Sequence, residues 1–192
     1  WRWTKAIPFH GEGQLYHASL FTDRAGGVRM MAQQRPTTHG QQQRAVHALL
    51  AVSTDGMGLR WGEAREVGLP NPDSPMDVAT LTDGRVLAVY NHAHRPGIRS
   101  RAQLSVALSY DDGETWRPVL ALDGDTQAGG GWEYARPSVT QTRDSMVHVV
   151  YIQLHTGKKK GSGSSGKEAI RHVVLDPREL DADYLSDHPI ER

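Results

Sequence analysis

The sequence predicts an all-β fold, a β-propeller of four-stranded antiparallel blades with about three blades' worth of strands. Three observations predict it. First, a turn motif occurs twice, as Ser53-Thr54-Asp55-Gly56-Met57-Gly58-Leu59-Arg60-Trp61 and as Ser109-Tyr110-Asp111-Asp112-Gly113-Glu114-Thr115-Trp116. The two serines are 56 residues apart, on the order of one propeller blade. Second, each motif follows an alternating run, Val46-His47-Ala48-Leu49-Leu50-Ala51-Val52 and Leu104-Ser105-Val106-Ala107-Leu108, and each precedes a hairpin signature. Third, long stripes at the 3.6-residue period are missing, which argues against all-α and α/β folds.

Taken in order, Trp3 to Phe9 reads as the fourth strand of a preceding blade. The first set of four starts with Tyr16-His17-Ala18-Ser19-Leu20-Phe21, turns through Asp23 and Gly26-Gly27 into Val28-Arg29-Met30-Met31-Ala32, and ends near Glu66. The second set starts with Met76-Asp77-Val78-Ala79-Thr80-Leu81, turns at Asp83-Gly84 into Arg85-Val86-Leu87-Ala88-Val89-Tyr90, and ends near Leu122. The third has three strands: Arg136 to Gln141, Met146 to Tyr151 across Arg143-Asp144-Ser145, and Ala169 to Leu175. Residues 1–192 read as one partial propeller. Within it, 157–167 is a flexible low-complexity insertion rich in Gly, Ser and Lys. The charged tail from Asp176 frays or forms one short helix. Three blades do not close a ring, which takes roughly 4–8. The missing half comes from a second copy or another chain, or the chain is a fragment.

Composition excludes several functions. Lys plus Arg and Asp plus Glu both number 22, so formal net charge is zero. That disfavours nucleic acid and polybasic membrane-surface binding. No apolar run is long enough to span a bilayer as a helix. Cysteine is absent, which removes disulfides, thiolate metal sites and cysteine nucleophiles. Trp1-Arg2-Trp3-Thr4 does not read as a signal peptide, and the compartment stays open. Among ten histidines only His92-Ala93-His94 has strand spacing for sharing an ion, with no third ligand at matching spacing. We therefore expect no metal and no cofactor.

The second turn motif matches the Asp-box, S-x-D-x-G-x-T-W, through Ser109, Asp111, Gly113, Thr115 and Trp116. These types are structural: Ser and Asp satisfy turn amides, and Gly takes the positive φ. The wider context is more specific. It includes Leu69-Pro70-Asn71-Pro72-Asp73-Ser74-Pro75-Met76-Asp77, Tyr90-Asn91-His92, Trp132-Glu133-Tyr134-Ala135-Arg136-Pro137-Ser138-Val139 and Ile170-Arg171-His172-Val173-Val174-Leu175. Together these segments resemble the C-terminal half of the sialidase-like BNR-repeat proteins, often described as predicted neuraminidases. The resemblance implies a six-bladed propeller of twice this length and cleavage of glycosidic bonds in acidic glycans. Related propellers imply two alternatives, a polysaccharide lyase on uronate-containing glycans and a non-catalytic module binding glycan or protein.

Candidate residues lie at the ends of inner strands. A glycosidase needs a proton donor and a base or nucleophile. Asp77, His92 and Glu133 are the acid–base candidates, with Tyr134 orienting or attacking. Arg35, Asn91 and Arg136 are the substrate-binding candidates, the arginines for a sugar carboxylate. The family pattern places a tyrosine where this chain has Arg136, which removes a tyrosine nucleophile at that position. Each residue also has a structural alternative: Asp77 caps a turn, Glu133 and Tyr134 pack a strand start, Asn91 and His92 close a hairpin end. His47, His148 and His172 fall inside strand runs and read as packing residues.

Overall fold

A computed structural model describes residues 9, 14–35, 46–94, 96–97, 99–124, 131–156 and 168–180, with backbone only at 14, 34 and 35. Its strands form three antiparallel sheets, each a propeller blade. Blade 1 has the order β1 (Gln14–Thr22), β2 (Val28–Arg35), β3 (His47–Val52), β4 (Arg65–Pro70). Blade 2 has β5 (Asp77–Thr80), β6 (Val86–Asn91), β7 (Gln103–Ser109), β8 (Arg117–Gly124). Blade 3 has three strands, β9 (Trp132–Gln141), β10 (Val147–His155) and β11 (Glu168–Leu175). The first set ends at Pro70, a little beyond the expected Glu66. The strand expected from Trp3 lies outside the described residues apart from Phe9, whose ring meets Trp61 edge-on at 6.0 Å. The 157–167 insertion lies outside them too, as does the tail beyond Leu180. Among the described residues no helix is long and apolar enough to cross a membrane.

The blades repeat residue by residue. Val28, Val86 and Val147 open the second strands, each seven positions after Phe21, Ala79 and Thr140. Alternation then decides which blade a side chain meets. In β6, Val86, Ala88 and Tyr90 pack toward blade 1, in a cluster with Phe21, Met31 and Leu50. Leu87 and Val89 pack toward blade 3, with Leu104, Val106 and Leu108 of β7 and Val147, Val149 and Tyr151 of β10. Every residue of β6 is buried, so this strand reads as a continuous apolar run instead of an alternating one.

Both Ser-x-Asp turns have the same geometry. In blade 2 the Ser109 hydroxyl donates to Asp111 Oδ1 at 2.8 Å and accepts from Gly113 N–H at 2.8 Å. Thr115 donates to Asp111 through N–H at 2.8 Å and Oγ1 at 2.6 Å, and the Trp116 indole donates to Gly113 O at 2.9 Å. In blade 1, Ser53, Asp55, Gly58 and Trp61 reproduce the serine and indole bonds, with the extra residue between Asp and Gly, and Asp55 accepts from the Met57 and Leu59 N–H groups in place of Thr115. These turns make stability acid-sensitive. Burial pushes the Asp111 carboxyl up, but hydrogen bonds from Thr115 and Ser109 outweigh it and hold it below the ordinary range. Asp23, Asp55, Asp83 and Asp144 are displaced the same way. A carboxyl lowered in the folded state stabilises above its unfolded value, and that stabilisation is lost as pH falls through the folded value. We expect a Tm nearly level down to about pH 5 and falling steadily below about pH 4. Thermal melts across this range check it, and a Tm that rises on acidification contradicts it.

Candidate active site

The first strands β1, β5 and β9 lie side by side, so equivalent residues of three blades meet at the propeller axis. The repeat aligns His17-Ala18-Ser19 with Pro75-Met76-Asp77 and Arg136-Pro137-Ser138. These positions, Ser19 excepted, line an open pocket of about 340 Å³. At its base, Asp77 ties the blades together. Its Oδ1 accepts from the Ser19 hydroxyl of blade 1 at 2.6 Å, and its Oδ2 accepts from the Val139 N–H of blade 3 at 2.8 Å. Each carboxylate oxygen keeps a further lone pair for a ligand.

His17 and Arg136 flank Asp77 from equivalent positions and share an unusual backbone. Their φ angles are 44° and 52°, left-handed values that cost a non-glycine residue about 1–3 kcal/mol. Both sit where the strand register shifts, between Tyr16 and Ser19 in β1 and between Ala135 and Ser138 in β9. A bulge of this kind re-aims a side chain. In blade 2 the equivalent residue is Pro75, which ends the pairing and leaves β5 short.

Of the sequence candidates, the structure brings Asp77 and Arg136 together. None of His92, Glu133, Tyr134 and Asn91 lines the axial pocket. Asn91 is buried, and its amide spans a seam: Nδ2 donates to Gln103 O at 3.0 Å and Tyr134 O at 2.9 Å, and Oδ1 accepts from Ser74. Tyr134 is buried in the core between blades 2 and 3, its ring edge-on to Tyr151 at 6.2 Å. Glu133 is half-buried on β9 opposite Leu154. Arg35 ends β2, and its side chain lies outside the described residues.

His92 lines a second cavity of about 250 Å³ with Gln103, Ser105 and the 118–121 segment. Its Nδ1 lies 2.6 Å from the Tyr90 hydroxyl. Burial, and then the neighbouring His94, push the imidazole below its ordinary value, while burial holds the Tyr90 phenol well above its own. The pocket residue that sequence reasoning missed is His17. Its signal was the alignment of Tyr16-His17-Ala18-Ser19 with Ala135-Arg136-Pro137-Ser138. Among the described residues no group of three or more His, Asp or Glu is placed to hold a metal ion.

Solved structures with this fold include an α-L-arabinanase of Penicillium chrysogenum complexed with arabinobiose, at 14% identity and a TM-score of 0.58. That match covers 84% of this chain and 46% of the arabinanase. The NanB sialidase of Streptococcus pneumoniae matches at 16% identity and a TM-score of 0.58, over 92% of this chain and 25% of the sialidase. A protein of unknown function from Dyadobacter fermentans matches at 14% identity and a TM-score of 0.57, over 86% of this chain and 52% of that one. The chain thus spans about half, or less, of the length of these proteins. No curated protein matches the chain. The model of the BNR repeat-like domain matches residues 1–149, from β1 through β9 into the start of β10, and this chain belongs to that family.

Proposed function

We propose that residues 1–192 are a partial propeller domain carrying the axial pocket of a glycan-cleaving protein, and that the sugar it takes is acidic. The observation that carries this reading is the convergence of Asp77, Arg136 and His17 from three blades on one pocket. A cavity of about 340 Å³ suits a single terminal sugar. Arg136 offers a fork of donors to a sugar carboxylate, and His17 adds a donor from the facing blade. Asp77, fixed by two hydrogen bonds, is the acid–base group beside the scissile bond. The arabinanase and sialidase relatives, both glycosidases by name, support glycosidic cleavage as the reaction class.

One observation favours a second reading, a glycan-binding module without turnover. Both oxygens of Asp77 are already engaged across blades, and Asn91 and Tyr134 are absorbed into a seam.

Titration with sialylated, uronate-containing and neutral oligosaccharides tests the pocket. Arg136→Ala is expected to weaken the acidic ligands about 10–100-fold, the scale of a charge-assisted pair, and to leave neutral ones unchanged. Equal affinity for acidic and neutral sugars, or indifference to Arg136→Ala, refutes the acidic specificity.

A further inference from the structure

The cavity beside His92, of about 250 Å³, lies in blade 2 away from the propeller axis. His92, Gln103 and Ser105 give it three polar side chains, and Pro118, Val119 and Leu120 give it an apolar wall. It spans β6 to β8, so its centre sits about two strand spacings, roughly 10 Å, outward from the axial strand β5. It shares no lining residue with the axial pocket. Asp77 at the start of β5 pairs with Val89, and His92 follows just past the end of β6, so both cavities lie at the same end of the blade.

Blade 2 builds this cavity from features its neighbours lack. Two register shifts, between Leu104 and Ser105 and between Val106 and Ala107, make Leu122 and Val119 extra residues of β8 opposite β7. Bulges on an outer strand bend it and re-aim its side chains. Ser105, 2% exposed, stands between the two shifts. Across the strands it faces Tyr90, where blade 1 pairs Leu49 with Ala32 and blade 3 pairs Arg171 with Tyr151. A small hydroxyl group thus occupies the position that the other blades give to leucine or arginine.

The polar groups of the cavity are only partly spent. Ser105 Oγ accepts from the Gln103 amide Nε2 at 2.9 Å, which leaves the serine proton, the Gln103 side-chain carbonyl and one amide hydrogen for a ligand. His92 Nδ1 is engaged with the Tyr90 hydroxyl at 2.6 Å, which leaves Nε2. Among the described residues no carboxylate, lysine or arginine lines the cavity, and burial, then His94, favour the neutral form of the imidazole. A hydroxyl and an amide both donate and accept, as the hydroxyls of a sugar do, and Pro118 and Leu120 suit the C–H face of its ring. The axial pocket, with Arg136, Asp77 and His17, has the opposite character. We propose that the blade 2 cavity is a binding site for one neutral sugar ring, separate from the axial pocket. The site goes beyond the proposed function, because it needs no acidic ligand, no turnover and no closed ring of blades.

Titration of the isotope-labelled full chain with methyl β-galactoside and methyl β-xyloside, read by amide chemical shifts, tests it. Saturable shifts at Ser105 and along residues 118–121 are expected with at least one of the two probes. Ala121→Trp, at an exposed position of the lining, should abolish them by filling the cavity. Gln103→Ala, also at an exposed position, should weaken binding about 10-fold, the scale of a lost hydrogen bond. Both variants should melt as the wild type does. Arg136→Ala should leave the shifts unchanged, and tert-butanol, an apolar body with one hydroxyl, should give none. Absence of saturable shifts with both glycosides at their solubility limits overturns the proposal. So do shifts that survive Ala121→Trp, binding indifferent to Gln103→Ala, shifts gathered instead around His17, Asp77 and Ser138, or equal shifts with tert-butanol. Sialylated ligands indifferent to Arg136→Ala would refute the acidic axial pocket and leave this site standing.

Discussion

Asp77→Ala is expected to remove turnover and to loosen the propeller in the same step. The carboxylate accepts from Ser19 on blade 1 and from the Val139 N–H on blade 3, while its own strand belongs to blade 2. Deleting it strands the Val139 N–H in the seam core and leaves the Ser19 hydroxyl only the longer contact to Val78 O at 3.4 Å, so a loss of roughly 2–4 kcal/mol is expected in urea unfolding. General acid–base catalysis is worth about 10²–10⁴-fold, and that much of the rate should vanish. Two milder changes separate the effects. Ser19→Ala removes the bond to Asp77 and the acceptor of the Val78 N–H at 3.2 Å but leaves the carboxylate, so it should cost about 1–3 kcal/mol and keep most activity. Asp77→Asn still accepts from Ser19 but turns an amide toward the Val139 N–H. It should be intermediate in stability and as inactive as alanine. An Asp77→Asn protein with wild-type turnover would confine Asp77 to holding the blades together.

The blades were legible in the sequence because their turns demand particular side chains. Ser109, Asp111 and Trp116 each make a side-chain hydrogen bond that few other residues can make, and Gly113 takes a φ of +90°, so the motif survives in the one-dimensional string. The hairpins at Asp83-Gly84 and Asp144-Ser145 were legible for similar reasons. The site was legible only in part. Asp77 and Arg136 were candidates as inner-strand starts, and the structure puts Asp77 at the start of β5, Arg136 at the bulge within β9, and both in the axial pocket. Asn91 ends the second strand β6 and does different work, and only the register between blades shows it. Its equivalent in blade 1 is Gln33, another buried amide that reaches across a seam, to Asp73. A polar residue at a strand end reads alike whether it ties blades or binds sugar. His17 was hidden for another reason. A bulge with left-handed backbone usually announces itself with Gly or Asn, and here His and Arg carry the strain.

The same repeat makes a sharp comparison of three glycines, where Gly113→Ala should be the most damaging change in either turn. Gly56, Gly58 and Gly113 have φ of +70°, +79° and +90°, so alanine pays a left-handed backbone cost of about 1–2 kcal/mol at each. Their surroundings differ. A methyl group at Gly56 meets nothing within 4 Å, and at Gly58 its nearest atoms are 3.6 Å away, in Trp61 and Val28. At Gly113 it lands 3.0 Å from Cζ of Phe21, a ring 5% exposed in the seam between blades 1 and 2. Overpacking of that kind adds about 1–3 kcal/mol, which predicts a Tm loss of roughly 5–15 °C for Gly113→Ala. The other two should fall by half as much or less. Phe21→Leu supplies the control. It shortens the side chain that the methyl group meets, so Gly113→Ala in that background should cost no more than Gly58→Ala does in the wild type. Equal losses at all three glycines, or a Gly113→Ala cost unchanged by Phe21→Leu, would mean that backbone strain alone governs these turns and that the blade 2 turn does not plug the seam.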